Sequence, residues 1–177
     1  MTYTNRGADA LLKAMGAAML AAGPVMLWRS RSGRHEIRTE LTAQKITFPE
    51  RGLPSHRAPF AGRPVETGPE ARAFADMIKG NLARATNGRT YSEITAELHA
   101  TGDDEKLATL RQTAFMGETL RASLMSAYQA WQLTSLVTGL GALLTGVGAA
   151  LVVSPHGGSR TGAVAALPAL KHGIRAH

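Results

Sequence analysis

The sequence LTSLVTGLGALLTGVGAALVV, residues 133–153, contains no charged residue and no proline. At about 1.5 Å per residue, a helix of this length crosses the roughly 30 Å of hydrocarbon in a bilayer. The uncharged region begins earlier, at Ala122, and brings Tyr128 and Trp131 to its edge, where amphipathic rings favour the headgroup level. Residues 131–154 are therefore predicted to form a C-terminal transmembrane helix.

Small side chains recur at every fourth position within this stretch and define one face of the predicted helix. The face consists of Thr138, Ala142, Gly146 and Ala150. In lipid, a face of small residues lets another helix backbone approach closely. We predict that this face associates with another helix. The alternative is that glycine and alanine are tolerated in the membrane and pack against nothing.

A weaker apolar segment lies in residues 1–28 and predicts an N-terminal membrane helix. Residues 14–28 are uncharged, and the helix is long enough to span if Lys13 extends its ammonium group to the surface. Gly23-Pro24 is expected to kink it near its end. The apolar run ends in WRSR, residues 28–31, which favours retention over cleavage as a signal peptide. An interfacial amphipathic helix is the remaining alternative. Its small residues repeat the spacing of the later face: Ala14, Ala18 and Ala22.

We predict a basic linker in residues 29–66, which are rich in proline and glycine. This linker should have little regular structure and lie over another part of the chain. It opens with four arginines, Arg29, Arg31, Arg34 and Arg38. We interpret these arginines first as a signal that sets the orientation of the helix in the membrane. The alternative is a binding site, in which they would contact anionic lipid headgroups. Trp28, Tyr128 and Trp131 are predicted to anchor the protein at the membrane interface.

A soluble helical domain is predicted in residues 67–130. Two capping boxes, Thr67 to Glu70 and Thr90 to Glu93, predict the starts of two helices, and Asn87-Gly88 ends the first. After Gly102, Asp103 is predicted to cap a third helix that nothing interrupts before Pro155. This third helix would be one rod of about 50 residues and about 75 Å that enters the membrane, with the other two packed on its base.

Together these segments predict an all-α fold, in which two membrane-associated helices flank a small helical loop domain and the last helix is a long continuous rod. A basic, flexible tail is predicted in residues 155–177. The net charge of +7 lies mostly beside the membrane segments, which favours membrane lipids as partners, and no basic stripe interleaved with aromatics indicates nucleic acid. The chain has no cysteine, which excludes disulfides and thiolate chemistry.

No catalytic, metal or cofactor site is predicted. His35 and His99 lack the paired helical spacing of a zinc or di-iron site, and no glycine loop outside the membrane segment would cradle a phosphate. No carboxylate or histidine marks an ion path within the membrane, which argues against a pump. The sequence indicates a protein that is not an enzyme and that has no cofactor other than a lipid or quinone bound between its membrane helices.

Four stretches carry a resemblance to a known family: LTAQKITFPE at 41–50, ETGPEARAFA at 66–75, TYSE at 90–93 and GETLRASLMSA at 117–127. Over roughly residues 41–153 the chain resembles a family of uncharacterised actinobacterial two-helix membrane proteins, sometimes labelled ring-opening dioxygenases. The resemblance implies two membrane passes around a helical loop domain and no established activity. The sequence lacks the His/Glu iron-ligand signature of such an oxygenase, and we reject that label.

The function that the sequence favours is a non-catalytic anchor or scaffold subunit in the cell membrane, which self-associates and positions a larger protein complex. A quinone-linked oxidoreductase such as a hydrogenase is one version of that complex. The alternatives are a membrane-tethered envelope enzyme or regulator acting through the soluble helices, and an anionic-lipid-binding protein. The arginines after the first helix favour a cytoplasmic loop domain, while the basic tail favours the opposite orientation.

Overall fold

The computed structural model describes residues 3–154, which form helices and no strand. The predicted all-α fold is confirmed. The predicted tail, residues 155–177, lies outside the described residues. In chain order the helices are α1 (Tyr3–Ala43), a short 3-10 helix (Ser55–Phe60), α2 (Gly68–Ala85), α3 (Tyr91–Thr101) and α4 (Glu105–Val153).

The long continuous rod is confirmed. Helix α4 runs for 49 residues without a break, which at about 1.5 Å per residue is about 74 Å. Its N-cap is Asp104 and not the predicted Asp103, because one Asp104 carboxylate oxygen accepts the backbone N–H groups of Lys106 and Leu107 at 2.9 and 3.1 Å. Helices α2 and α3 both pack against the N-terminal part of α4, as expected.

Helix α1 is longer than predicted. It continues through Pro24 and Trp28 to Ala43, so residues 29–43 are helical rather than the start of an irregular linker. The physical reason is packing against α4, which persists beyond the apolar segment: Ser30 and Leu41 are both buried. Apolarity marks where a helix can enter lipid, but it does not mark where the helix ends.

The remaining linker, residues 44–66, has no α-helix and no strand, but it includes the 3-10 helix Ser55–Phe60 and contributes to the core. Phe48 is 2% exposed and Val65 is 1% exposed. The Phe48 ring stacks on Phe60 and meets the edge of Phe74, with both pairs of centroids 5.1 Å apart. A single antiparallel bridge between Thr47 and Pro64 closes the loop. The buried core of this region comprises Leu41, Phe48, Val65, Ala71, Ala75 and Leu124.

Both predicted capping boxes are present. The Glu70 carboxylate accepts the backbone N–H and the hydroxyl of Thr67 at 3.0 and 2.9 Å. The Glu93 carboxylate accepts the same two groups of Thr90 at 2.7 and 2.8 Å. Asn87 lies two residues after the end of α2 and adopts a positive φ of 52°, so the helix stops where the sequence predicts. Local sequence therefore places the ends of these helices.

Candidate membrane hairpin and its interface residues

Helices α1 and α4 are both long and apolar enough to cross a membrane, by length and composition. In each helix only 11% of the most apolar stretch is buried within the protein. Large apolar side chains of α4 instead face outward, among them Leu133, Leu136 and Leu143, which are 61%, 69% and 61% exposed. The core helix of a water-soluble domain would bury such residues, so this outward apolar surface is suited to lipid.

The two helices form an antiparallel hairpin along a seam of very small residues. A Cβ atom on Gly23 would lie 2.7 Å from the carbonyl oxygen of Gly141, and one on Gly148 would lie 2.7 Å from the carbonyl oxygen of Gly16. Both distances are too short for any side chain, so the backbones themselves are in contact. These glycines lie seven residues apart on each helix. A seven-residue repeat keeps one stripe of a helix facing its partner.

The predicted association faces lie mostly outside this seam. Thr138 lies in it, whereas the other positions are exposed on the outer surface of the hairpin: Ala14, Ala18, Ala22, Ala142, Gly146 and Ala150. Sequence reasoning missed the seam glycines because it followed the four-residue spacing of small residues. The seven-residue spacing was the signal that would have found them. Association of the outer faces with another chain stays a prediction.

Hydroxyl groups continue the seam towards the loop domain. Ser30 is 3% exposed, and its hydroxyl donates to the carbonyl oxygen of Thr134 at 2.8 Å and lies 2.5 Å from the Thr138 hydroxyl. Thr138 in turn donates to the same carbonyl at 2.8 Å. Each buried hydroxyl therefore has a partner, as an apolar environment requires.

Arg34 and Trp131 form the junction between the hairpin and the loop domain. The Arg34 guanidinium lies 5.3 Å from the centre of the Trp131 ring and donates to the hydroxyls of Thr134 and Ser135 at 3.3 and 2.9 Å. On α2, a Cβ on Gly68 would collide with the Cβ of Trp131, so only glycine fits there. Trp131 is thus held by α1 and α2 rather than being a free anchor.

Some of the predicted interface residues contact other side chains of the protein, and others are exposed. Arg38 forms an ion pair with Glu66 at 3.1 Å, and Arg72 lies over the Tyr128 ring at 5.0 Å. Arg29, Arg31 and Trp28 are exposed, and within residues 3–154 neither arginine has an ion-pair or hydrogen-bond partner. Of the predicted headgroup contacts, the fold therefore leaves Arg29 and Arg31 without a partner, and of the predicted interface anchors Trp28 is the exposed one.

The described residues contain no group of three histidine or acidic side chains that could hold a metal ion. In the same part of the chain, the hydrogen bond from the Thr90 backbone N–H, followed by that from the Thr90 hydroxyl, lowers the pKa of Glu93 below its usual 4.5. This carboxylate caps α3, so its lowered pKa is a consequence of the helix cap.

No protein-family model, curated protein or solved structure matches this chain. The resemblance to actinobacterial two-helix membrane proteins therefore stays a prediction. Function is therefore inferred from the geometry of the hairpin and of the helices attached to it.

Proposed function

We propose that this chain is a two-pass membrane protein, in which the α1–α4 hairpin anchors a small helical module at the membrane surface. In this proposal the protein is a non-catalytic scaffold subunit that positions a larger complex. The observation that carries it is the hairpin itself, which has backbone contact along the glycine seam and large apolar side chains on its outside.

The attachment of the module to the hairpin supports a positioning role. Helix α4 passes from one to the other without a joint. Trp131 and Arg34 connect α1, α2 and α4 at the same level. A module held this way keeps a fixed height and orientation relative to the bilayer, which is what a subunit that positions a partner needs.

Self-association and a protein partner are part of the same proposal. The outer surface of the hairpin carries the small-residue positions of both helices, including Ala18 and Ala142, which contribute little to the seam. Several copies packed through such surfaces would enclose an apolar space for a lipid or a quinone. In the more specific form of this proposal, the partner complex is a quinone-linked oxidoreductase such as a hydrogenase, and its quinone occupies this space.

The orientation follows from the antiparallel hairpin and the arginines. Gly16 lies beside Gly148 and Leu151, so the outer ends of α1 and α4 are at the same end of the hairpin. In a spanning hairpin, both ends would lie on one side of the membrane and α2 and α3 on the other. The free Arg29 and Arg31 beside the loop domain favour the cytoplasm for that domain.

Gentle detergent extraction of the tagged chain from its membrane, followed by native mass spectrometry and partner identification, tests the scaffold proposal. We expect the chain to sediment with membranes, to resist extraction by carbonate, and to be recovered as an oligomer with at least one stoichiometric protein partner. Recovery from the membrane as a solitary monomer would refute the scaffold function. Recovery from the soluble fraction would refute the membrane anchor as well.

A second candidate function, binding of anionic lipid, is favoured by the free side chains at the hairpin junction. Trp28 is 67% exposed beside Arg29 and Arg31, which suits an anionic headgroup. Native mass spectrometry would measure retained phosphatidylglycerol in the protein and in the Arg29→Gln/Arg31→Gln variant. Loss of retained lipid in the double variant, with Arg111→Gln as the control, is expected. Equal retention by all three proteins would exclude this function.

A further inference from the structure

A small cleft lies between the loop after α1 and the last turns of α2, away from the hairpin. Its volume is about 230 Å³. Leu53 and Met77 form its apolar part, and Arg57 and Arg84 are its charged residues. The cleft is therefore divided between an apolar surface and two guanidinium groups.

The charge of this cleft is unbalanced. Among the residues that the structure describes, no acidic side chain lines it. Within residues 3–154, neither Arg57 nor Arg84 pairs with a carboxylate; Arg84 donates instead to the Asn81 amide oxygen at 2.5 Å. An amide oxygen orients a guanidinium without neutralising it. Other arginines of the described part do pair with carboxylates: Arg38, Arg63, Arg72, Arg89 and Arg121.

Proline and helical backbone restrict the walls of the cleft. Pro49 and Pro54 line it, and between them Gly52 adopts a positive φ of 83°, which favours glycine. The opposite wall is formed by the last turns of α2, where Met77 packs against the core of the loop domain. A preformed site loses less conformational entropy when a ligand binds.

We propose that this cleft binds an organic carboxylate, with the anionic group between Arg57 and Arg84 and a short apolar group on Leu53 and Met77. Guanidinium groups match the planar geometry of a carboxylate and bind it through charge-assisted hydrogen bonds. The volume admits a ligand of about the size of one amino-acid residue. The C-terminal residue of a partner protein, when it is apolar, has this chemistry.

Isothermal titration calorimetry on the full chain in detergent, at low ionic strength, tests the proposal with a matched pair of probes. N-acetyl-leucine carries a carboxylate and a branched apolar side chain, and N-acetyl-leucine amide differs in lacking the charge. We expect the acid to bind at least about tenfold more tightly than the amide, because a charge-assisted hydrogen bond contributes more than a neutral one. Inorganic phosphate is the third probe.

Variants locate the binding in the cleft. Arg57→Gln and Arg84→Gln are each expected to weaken N-acetyl-leucine binding about tenfold. Arg111→Gln, which also removes a positive charge but lies elsewhere, is expected to leave it unchanged. Thermal unfolding of each variant shows that the comparison is made between folded proteins. Leu53→Ala, which keeps both arginines, is expected to weaken N-acetyl-leucine and to leave phosphate unaffected.

Three results would overturn the proposal: equal binding of the acid and the amide, binding of phosphate without the acid, or affinity that the two arginine variants leave unchanged. The proposal does not depend on the scaffold function. A monomeric chain without partners that still binds N-acetyl-leucine would refute the scaffold and retain the cleft.

Discussion

At the residue scale, glycine decides how closely the two long helices approach. Where Gly23 meets Gly141, the facing carbonyl oxygens leave no room for a Cβ atom on either residue, and the pair at Gly16 and Gly148 repeats this arrangement. In lipid there is no hydrophobic force between helices, so association depends on such close packing and on hydrogen bonds. Ser30, with its buried hydroxyl, supplies the hydrogen bond at the end of the same seam.

The first prediction concerns this seam. Gly23→Ala is expected to destabilise the protein by about 1–3 kcal/mol, because its new methyl group would meet the Gly141 carbonyl and Thr145. Gly146→Ala is the matched control, since a Cβ there meets no atom within 4 Å and alanine has the higher helix propensity. Thermal unfolding in detergent measures both. Equal loss of stability in the two variants would show that the seam is not where the helices meet.

The second prediction concerns the arginine at the junction. Arg34→Gln is expected to lower stability by about 1 kcal/mol or more, because it removes the contact with Trp131 and the hydrogen bonds to Thr134 and Ser135. Arg31→Gln, at an exposed position, is expected to change stability by less than about 0.5 kcal/mol. Quenching of Trp131 fluorescence, measured in a Trp28→Phe background, reports the same junction. Equal effects of the two variants would contradict the structural role of Arg34.

The third prediction concerns the loop core. Phe48→Ala is expected to cost about 3–5 kcal/mol, because it removes a buried ring that packs on Phe60 and Phe74. Phe115→Ala is the control, since that ring is 52% exposed. Chemical unfolding of the two variants measures the difference. A small effect of Phe48→Ala would mean that residues 44–66 are a linker after all.

At the element scale, α2 and α3 are specified by their own ends, whereas the end of α1 is specified by what that helix packs against. Helices α2 and α3 each begin at a capping box. Helix α1 instead extends fifteen residues beyond its apolar segment, from Trp28 to Ala43, because α4 continues alongside it. Local signals therefore predict the first kind of boundary and cannot predict the second.

The fourth prediction uses the cap of α3. Because hydrogen bonds from Thr90 lower the pKa of Glu93 in the folded protein, the stability that this carboxylate contributes is present above the pKa of the unfolded chain. It is lost as the pH falls through the lower, folded pKa. Between about pH 6 and about pH 3, unfolding experiments should therefore show a larger loss of stability in the wild type than in Glu93→Gln. Identical pH dependences would mean that the cap is not formed.

At the scale of the whole molecule, the protein has an apolar part, the hairpin, and a polar part, the helical module. Apolar side chains cover the outside of the hairpin, and the ion pairs, such as those of Arg63 and Arg89, lie in the module. The boundary between the two regions lies near Trp28 and Trp131. A bilayer whose surface coincides with this boundary would leave every charged side chain of the module in water.

The fifth prediction is the topology of the proposed anchor. The chain has no cysteine, so Gly7→Cys and Ser92→Cys each introduce one thiol, at exposed positions at opposite ends of the molecule. In intact cells a membrane-impermeant maleimide is expected to label Gly7→Cys, and to label Ser92→Cys after lysis. The reverse pattern would place the module outside the cell. Labelling of both variants in intact cells would refute the spanning hairpin.

The sequence alone determined the features that short-range physics controls. The apolar stretch of α4, the capping boxes at Thr67 and Thr90, the turn at Asn87 and the unbroken rod were all predictable, because each depends on residues close together in the chain. The outward apolar surface of the hairpin also follows from composition.

Only the tertiary structure decided which small residues face each other. The predicted face at Ala142 and Gly146 and the observed seam at Gly141 and Gly148 differ by one or two positions, and on a helix each position rotates the side chain by about 100°. The choice between them is made by the partner helix. The same holds for Arg34 and Phe48, whose partners lie far away in sequence, so their roles exist only once the chain has folded.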